Sequence, residues 1–200
     1  MKRIALTGGI GTGKTYVLHE FRKHGIPTLD ADQISSAVVD VSQPCYQQLR
    51  KRFDDRYFLP NDQLDRSALA KLVFENQNAR TDLEAIVHPA VRHLVDEWFT
   101  RCHDSGASLL AIAEIPLLYE TGRAEAFDDV VVVACEPSTQ VSRIMNRDNL
   151  SKEDAHKRLA AQLPIADKVA AASCVIRTDK SYADTVLQVM RFLLPFHTSQ

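Results

Sequence analysis

Eight consecutive residues, Gly8-Gly9-Ile10-Gly11-Thr12-Gly13-Lys14-Thr15, complete the pattern G-x-x-x-x-G-K-[ST]. A glycine-rich run of this kind turns backbone N–H groups inward around phosphate oxygens, and a helix that starts at its end adds partial positive charge. On this reading Gly9, Ile10, Gly11, Thr12 and Gly13, with Lys14, Thr15 and the adjoining Tyr16, hold ATP or another nucleoside triphosphate. Lys14 reaches the terminal phosphates, and Thr15 supplies the hydroxyl that commonly holds Mg²⁺ in such loops.

The loop does not say where the phosphoryl group goes, because switches, motors and small-molecule kinases share it. A guanine-reading N-K-x-D is absent from the chain, and 200 residues leave little room for a motor's sensor elements. Two further groups of acids bear on the question. Asp30-Ala31-Asp32-Gln33 stands where the second predicted strand ends, the edge at which parallel α/β folds place ligand-contacting groups. Asp30 with Gln33 fits a capping box. Asp32 is placed one turn into the next helix, facing the phosphate loop across the neighbouring strand, where it accepts a proton from an acceptor hydroxyl or merely compensates the helix dipole. Glu114 follows the apolar run Leu109 to Ala113 and occupies the place of a carboxylate supporting Mg²⁺ or its water shell, or else lies in a solvated loop beside Pro116. Arg143 and Arg147, four apart on a predicted helix, share one face, and guanidinium forks suit a transferring phosphate. A solvated face with Asp148 as partner is the alternative for Arg143.

The elements that must position these groups follow from periodicity. Five short apolar runs read as strands: Arg3 to Thr7, Ile26 to Leu29, Leu109 to Ala113, Val130 to Ala134 and Cys174 to Arg177. They alternate with amphipathic stretches, the rhythm of βαβ units and a parallel sheet. After the loop, Val17, Leu18 and Phe21 share a helical face, and Gly25 is placed as that helix's stop. About eighty residues between the second and third strands exceed one crossover helix and predict a helical insertion. Its helices are Arg66 to Phe74, Ala79 to Ile86 and Ala90 to Cys102, the break falling at His88-Pro89. A polar helical arm follows the fourth strand, as Ser138 to Arg147 and Ser151 to Leu163, and a last helix runs from Tyr182 to Leu194.

Composition narrows the partners. With 24 Lys+Arg against 26 Asp+Glu, the net charge of -2 supplies no global field for nucleic acid or an anionic membrane. The four cysteines, Cys45, Cys102, Cys135 and Cys174, are scattered without a C-x-x-C pair and read as reduced core thiols. The start of the chain has no long apolar run, so neither export nor membrane insertion is expected, and a cytoplasmic location is.

Taken in order, Thr7 to Thr15, then Asp30-Ala31-Asp32, Val87-His88-Pro89 and Pro116-Leu117-Leu118-Tyr119-Glu120 resemble dephospho-coenzyme A kinase. Gln140-Val141-Ser142-Arg143 with Arg147-Asp148, and Arg158-Leu159-Ala160-Ala161-Gln162 with Lys168, look like the fourth-strand helix and lid of the same family. The resemblance runs from about residue 3 to about residue 177. It implies an α/β, three-layer P-loop kinase fold with a five-stranded parallel sheet, a helical acceptor-binding insertion and a helical lid. Residues 1–31, 104–137 and 164–200 would form the nucleotide-binding core, 32–103 the insertion and 138–163 the lid.

The implied reaction is phosphorylation of the ribose 3′-hydroxyl of dephospho-coenzyme A by ATP with Mg²⁺, the last step of coenzyme A synthesis. In that light Asp32 looks like the general base and Lys14 like the phosphate-holding lysine. Arg147 looks like the arginine that neutralises charge on the γ-phosphate, with Arg143 an ATP contact. His88, Pro116 and Leu117 line the acceptor side beside Asp32, while Thr15 and Glu114 serve the metal. Gln162 and Lys168 are ATP contacts or exposed helix residues. One departure stands out: the family's acidic residue and its Asn near the adenine are replaced in Ala172-Ser173-Cys174-Val175-Ile176-Arg177-Thr178-Asp179, leaving backbone groups around Arg177 and Thr178 to serve.

Overall fold

In the computed structural model, which describes residues 1–197, the chain order is β1 (Lys2–Gly8), α1 (Lys14–Lys23), β2 (Thr28–Asp30), α2 (Ala31–Ala37), α3 (Pro44–Arg52), α4 (Arg66–Glu75), α5 (Gln77–Ser105), β3 (Leu110–Glu114), β4 (Asp129–Ala134), α6 (Pro137–Asp148), α7 (Lys152–Ala160), α8 (Ile165–Ala170), β5 (Cys174–Arg177) and α9 (Tyr182–His197). Two compact units emerge, one of residues 1–30 with the described residues from 99 on, and one of residues 31–98.

The first unit is built on a five-stranded sheet in the order β2-β3-β1-β4-β5, with every pair parallel. Its central strands are apolar on both faces, as a sheet covered by crossover helices requires. Ile4 and Leu6 of β1 join Val131, Val133, Leu110, Ile112 and Ile176 in one cluster with Val17, Leu18 and Phe21 of α1 and Val189 and Leu193 of α9. Arg3, Ala5 and Thr7 alternate with that set and face the other side. There the Arg3 guanidinium lies 4.7 Å from the centre of the Phe99 ring, which packs edge-on against Phe127. The sheet order places the β1 loop between the ends of β3 and β4, so groups leaving all three strands converge on it.

The helical unit has its own core. Val38, Tyr46, Leu49, Phe53, Phe58, Leu69 and Val87 are buried together, and Leu83, Val91 and Leu94 pack against them. Two expectations are corrected here. The segment from Ala79 to Cys102 is not two helices broken at Pro89 but part of one 29-residue helix. Proline in a helix interior costs about 3 kcal/mol, yet Leu83, Val87, Val91 and Leu94 continue one apolar stripe across Pro89, and their burial outweighs the missing hydrogen bond. The sequence reading also lacks α3, a helix with Pro44 in its first turn and Cys45, Tyr46 and Leu49 buried beneath a basic end.

Two more boundaries move in the sheet unit. The second strand is Thr28–Asp30 rather than Ile26 to Leu29, because this short edge strand pairs only with β3 and Ile26 turns into the core below it. The arm helix stops at Ala160 rather than Leu163, and a separate helix, α8, starts after Pro164, whose ring excludes the preceding residue from helical geometry. Gly25 has φ 77° and ends α1 as expected.

Candidate active site

The phosphate loop turns where β1 meets α1. Gly8, at φ 153°, lies against the next strand so closely that a Cβ there would fall 2.3 Å from the Val133 carbonyl oxygen, which excludes every other residue. Thr12 is fully buried, and its hydroxyl donates to the Gly9 carbonyl at 2.8 Å, closing the loop on itself. Gly13, in the left-handed region at φ 88°, caps α1, so the first N–H groups of that helix remain at the loop. Lys14 is half-buried and lays its ammonium 3.1 Å from the Gly9 carbonyl, across the mouth of the loop. The Thr15 residue is exposed at the same mouth, and the ring of Tyr16, one step on, packs at a tilt against Tyr182, 4.9 Å between centres.

Neighbouring elements hold the loop from outside. Gln140 of α6 is fully buried and donates its amide to the Ile10 carbonyl at 2.7 Å. Arg143, one turn further, spreads its fork over three acceptors: the Gly11 carbonyl at 3.2 Å, the Thr178 hydroxyl at 2.9 Å and the Thr178 carbonyl at 2.7 Å. Thr178 in turn donates to the Thr12 carbonyl at 2.7 Å. Thr178, just past the end of β5, therefore ties that segment to the phosphate loop both directly and through Arg143. The hydrogen bonds of the Arg143 guanidinium go to these groups, and it braces the loop.

Asp148 pairs instead with Arg147. The two make a bidentate contact at 2.7 and 2.9 Å, and Arg158 adds a third bond to the same carboxylate at 2.6 Å. Hydrogen bonding from Arg147, against some desolvation, holds the Asp148 carboxyl below its ordinary value. The Arg147 side chain is 61% exposed.

Glu114 closes β3 as a carboxylate only 6% exposed, in register with Leu6 on one side and Asp30 on the other. It is thus a buried strand-end acid and not the solvated loop residue that its neighbour Pro116 also allowed. The Pro116 carbonyl accepts from Thr7 at 3.3 Å, and Leu117 is half-buried beside it. Asp32 and His88 belong to the helical unit: Asp32 is exposed in the first turn of α2, and His88 is half-buried within α5.

Gln140 as a loop brace is absent from the sequence reading. Its signal was a glutamine one helical turn from Ile144 on the apolar face of α6, where a polar residue needs a specific partner. Lys168 also differs from expectation. It is not the exposed helix residue that one of its two readings allowed; it is fully buried and paired with Glu120 at 2.7 Å.

A family model described as Dephospho-CoA kinase matches residues 2–184. A curated dephospho-CoA kinase from Hydrogenovibrio crunogenus is 37% identical over 197 residues, 98% of each chain. A crystal structure of a protein from Thermus thermophilus superposes with a TM-score of 0.85 at 31% identity, covering 100% of this chain and 98% of that one. A structure of dephospho-CoA kinase from Campylobacter jejuni gives 0.71 at 28% identity, covering 96% of this chain and 94% of that one.

Proposed function

The chain belongs to the dephospho-CoA kinase family, and from that membership we propose that it moves the γ-phosphoryl group of ATP to the ribose 3′-hydroxyl of dephospho-coenzyme A, yielding coenzyme A and ADP. The acceptor rests on the family match over residues 2–184, and the ATP side on the phosphate loop, a complete motif closed at the end of β1 and braced by Gln140 and Arg143. Transfer of this kind is catalysed mainly by positioning and charge stabilisation, which a braced ring of N–H donors with Lys14 provides.

The remaining roles are assigned by residue. Asp32 takes the proton of the 3′-hydroxyl as that oxygen bonds to phosphorus and ADP departs. Arg147, released from Asp148, neutralises charge on the transferring group, and the arm of residues 138–163 acts as the lid. Arg143 serves ATP through the loop it braces. His88, Pro116 and Leu117 line the acceptor side. The oxygen donors Thr15 and Glu114 suit Mg²⁺, which takes one or two protein oxygens together with phosphates and water. When bound, Mg²⁺ supplies charge neutralisation at the phosphates.

A coupled ATP-consumption assay comparing dephospho-coenzyme A, AMP, adenosine and no acceptor tests the reading, with product mass checked for one added phosphate. Turnover with dephospho-coenzyme A alone is expected; turnover with AMP or adenosine instead would discard that acceptor. Asp32→Asn should retain ATP binding and lower kcat by roughly two to four orders of magnitude. Near-normal turnover would remove Asp32 as the base.

A further inference from the structure

Two parts of the sequence more than forty residues apart, the Pro116 to Glu120 segment and the stretch from Gln162 to Lys168, meet beside the phosphate loop. Gln162, half-buried between α7 and α8, accepts the Ile10 N–H on its side-chain oxygen at 2.8 Å. Gln140 holds the Ile10 carbonyl from the other side at 2.7 Å. Two successive peptide units, Gly9–Ile10 and Ile10–Gly11, are thus each fixed by a glutamine amide. Neither flanking glycine has a side chain that could do so, and a Cβ on Gly9 would lie 2.4 Å from the Gln140 amide nitrogen.

Gln162 is held in its turn. The Leu163 N–H donates to Glu120 at 3.1 Å, and the same carboxylate oxygen pairs with the Lys168 ammonium at 2.7 Å. Lys168, 0% exposed, also donates to the Pro116 carbonyl at 3.4 Å, and Tyr119 reaches the Ala171 carbonyl at 3.0 Å. A fully buried ammonium must keep its partner, so Glu120 and the stretch it grips cannot separate cheaply. Packing does not substitute for these bonds: a cavity of about 510 Å³ lies between Gly9, Gln140, His156, Leu159 and Gln162.

We propose that Gln162 is a positioning residue for the phosphate loop, set in place by the Glu120–Lys168 pair, so that the root of the arm fixes the loop's geometry before nucleotide arrives. The proposal rests on the reading that this loop holds the phosphates of ATP. Without the Gln162 acceptor the Ile10 N–H loses its partner and the Gly9–Ile10 peptide is held at its carbonyl end alone, by Thr12 and Lys14, so that nucleotide binding must complete its ordering.

The test is amide hydrogen exchange at Ile10 in the nucleotide-free full chain, together with the Kd for Mg²⁺-ATP by calorimetry. In Gln162→Met we expect Ile10 exchange to quicken at least tenfold and the Kd to rise about tenfold, with Tm and the KM for dephospho-coenzyme A unchanged. Gln162→Glu, which keeps an acceptor oxygen, should retain Ile10 protection. Glu120→Gln, which loosens the grip on Lys168, should quicken Ile10 exchange about threefold. Unchanged Ile10 exchange in Gln162→Met would overturn the proposal, as would a fall in Tm accompanied by equal losses toward both substrates. If the wild-type chain binds ATP yet does not phosphorylate dephospho-coenzyme A, the function assigned above fails while the Ile10 result still decides this one.

Discussion

The phosphate loop and the outer arm are held by opposite means. From Gly8 to Thr15 the backbone is fixed by short hydrogen bonds to buried or half-buried partners, Thr12, Gln140, Arg143 and Thr178. From Arg147 through α7 the bonds are mostly ion pairs made by exposed cations: Arg147 and Arg158 share the half-buried Asp148, and Lys157 bridges Glu153 and Asp154. Exposed pairs contribute about 0–1 kcal/mol each, and the apolar contact beneath them is small, chiefly Val141, Ile144 and Ala155. The loop is therefore preorganised for phosphate, whereas the arm can exchange one set of charge partners for another at little cost. A group meant to meet phosphate only during transfer belongs on the second kind of element.

The largest effect should come from emptying the preorganised region of its charge. Lys14→Ala is expected to weaken ATP binding and turnover together, lowering kcat/KM by roughly two to three orders of magnitude, a loss typical of removing one preorganised charge-stabilising donor. Isothermal titration and steady-state kinetics read the two components separately. ATP affinity and rate both at the wild-type level would break the contrast, since the loop would then be an ordinary turn.

A sharper comparison uses two arginines one helical turn apart. Arg143→Ala strips the Gly11 and Thr178 carbonyls of a charge-assisted donor, and such bonds contribute about 1.5–3 kcal/mol apiece, so Tm and ATP affinity should fall together. Arg147→Ala removes an exposed pair, so Tm should stay within about a degree while kcat drops about tenfold or more with little change in ATP affinity. A kcat for Arg147→Ala equal to that of the wild type would take Arg147 out of the transfer step. A fall in Tm as large as that of Arg143→Ala would show the arm to be as firmly built as the loop.

How far sequence reaches follows the same division. The loop was legible because its constraints are local: strand, glycines, lysine and helix occupy one uninterrupted run, and the parallel sheet followed from apolar runs such as Val130 to Val133. Arg143 and Arg147 look alike in sequence, at the same spacing and on the same helix. Only the fold sets Thr178, thirty-five residues away, under Arg143 and leaves Asp148 to pair with its neighbour Arg147. Pro89 misled for the opposite reason, since a local helix breaker was overruled by packing of the stripe on either side of it. For Lys168 an exposed cation stayed among the readings because nothing near it in sequence announces Glu120, forty-eight residues earlier, as its partner.

The smallest effect should come from within the arm. Ser151 caps α7, accepting the Asp154 N–H at 3.1 Å, and its hydroxyl donates back to the Asp154 carboxylate at 2.7 Å. Losing a serine cap costs about 1 kcal/mol, and since α7 rests on exposed pairs, the loss should open this helix without touching the sheet. In Ser151→Ala, amides of α7 should therefore exchange several-fold faster at unchanged global Tm, with kcat altered less than twofold. The bond from Ser151, then that from Lys157, holds the Asp154 carboxyl below its ordinary value of 3.8. A carboxyl lowered by folding stabilises fully above its unfolded value and loses that contribution as pH falls through the folded one. Acid should thus quicken α7 exchange relative to the intrinsic amide rate, which itself falls with pH, in the wild-type chain, and less so in Ser151→Ala, where the leading bond is already gone. Exchange that quickens equally in α7 and in β1 would mean that arm and loop open as one cooperative body, and the contrast between them would fail.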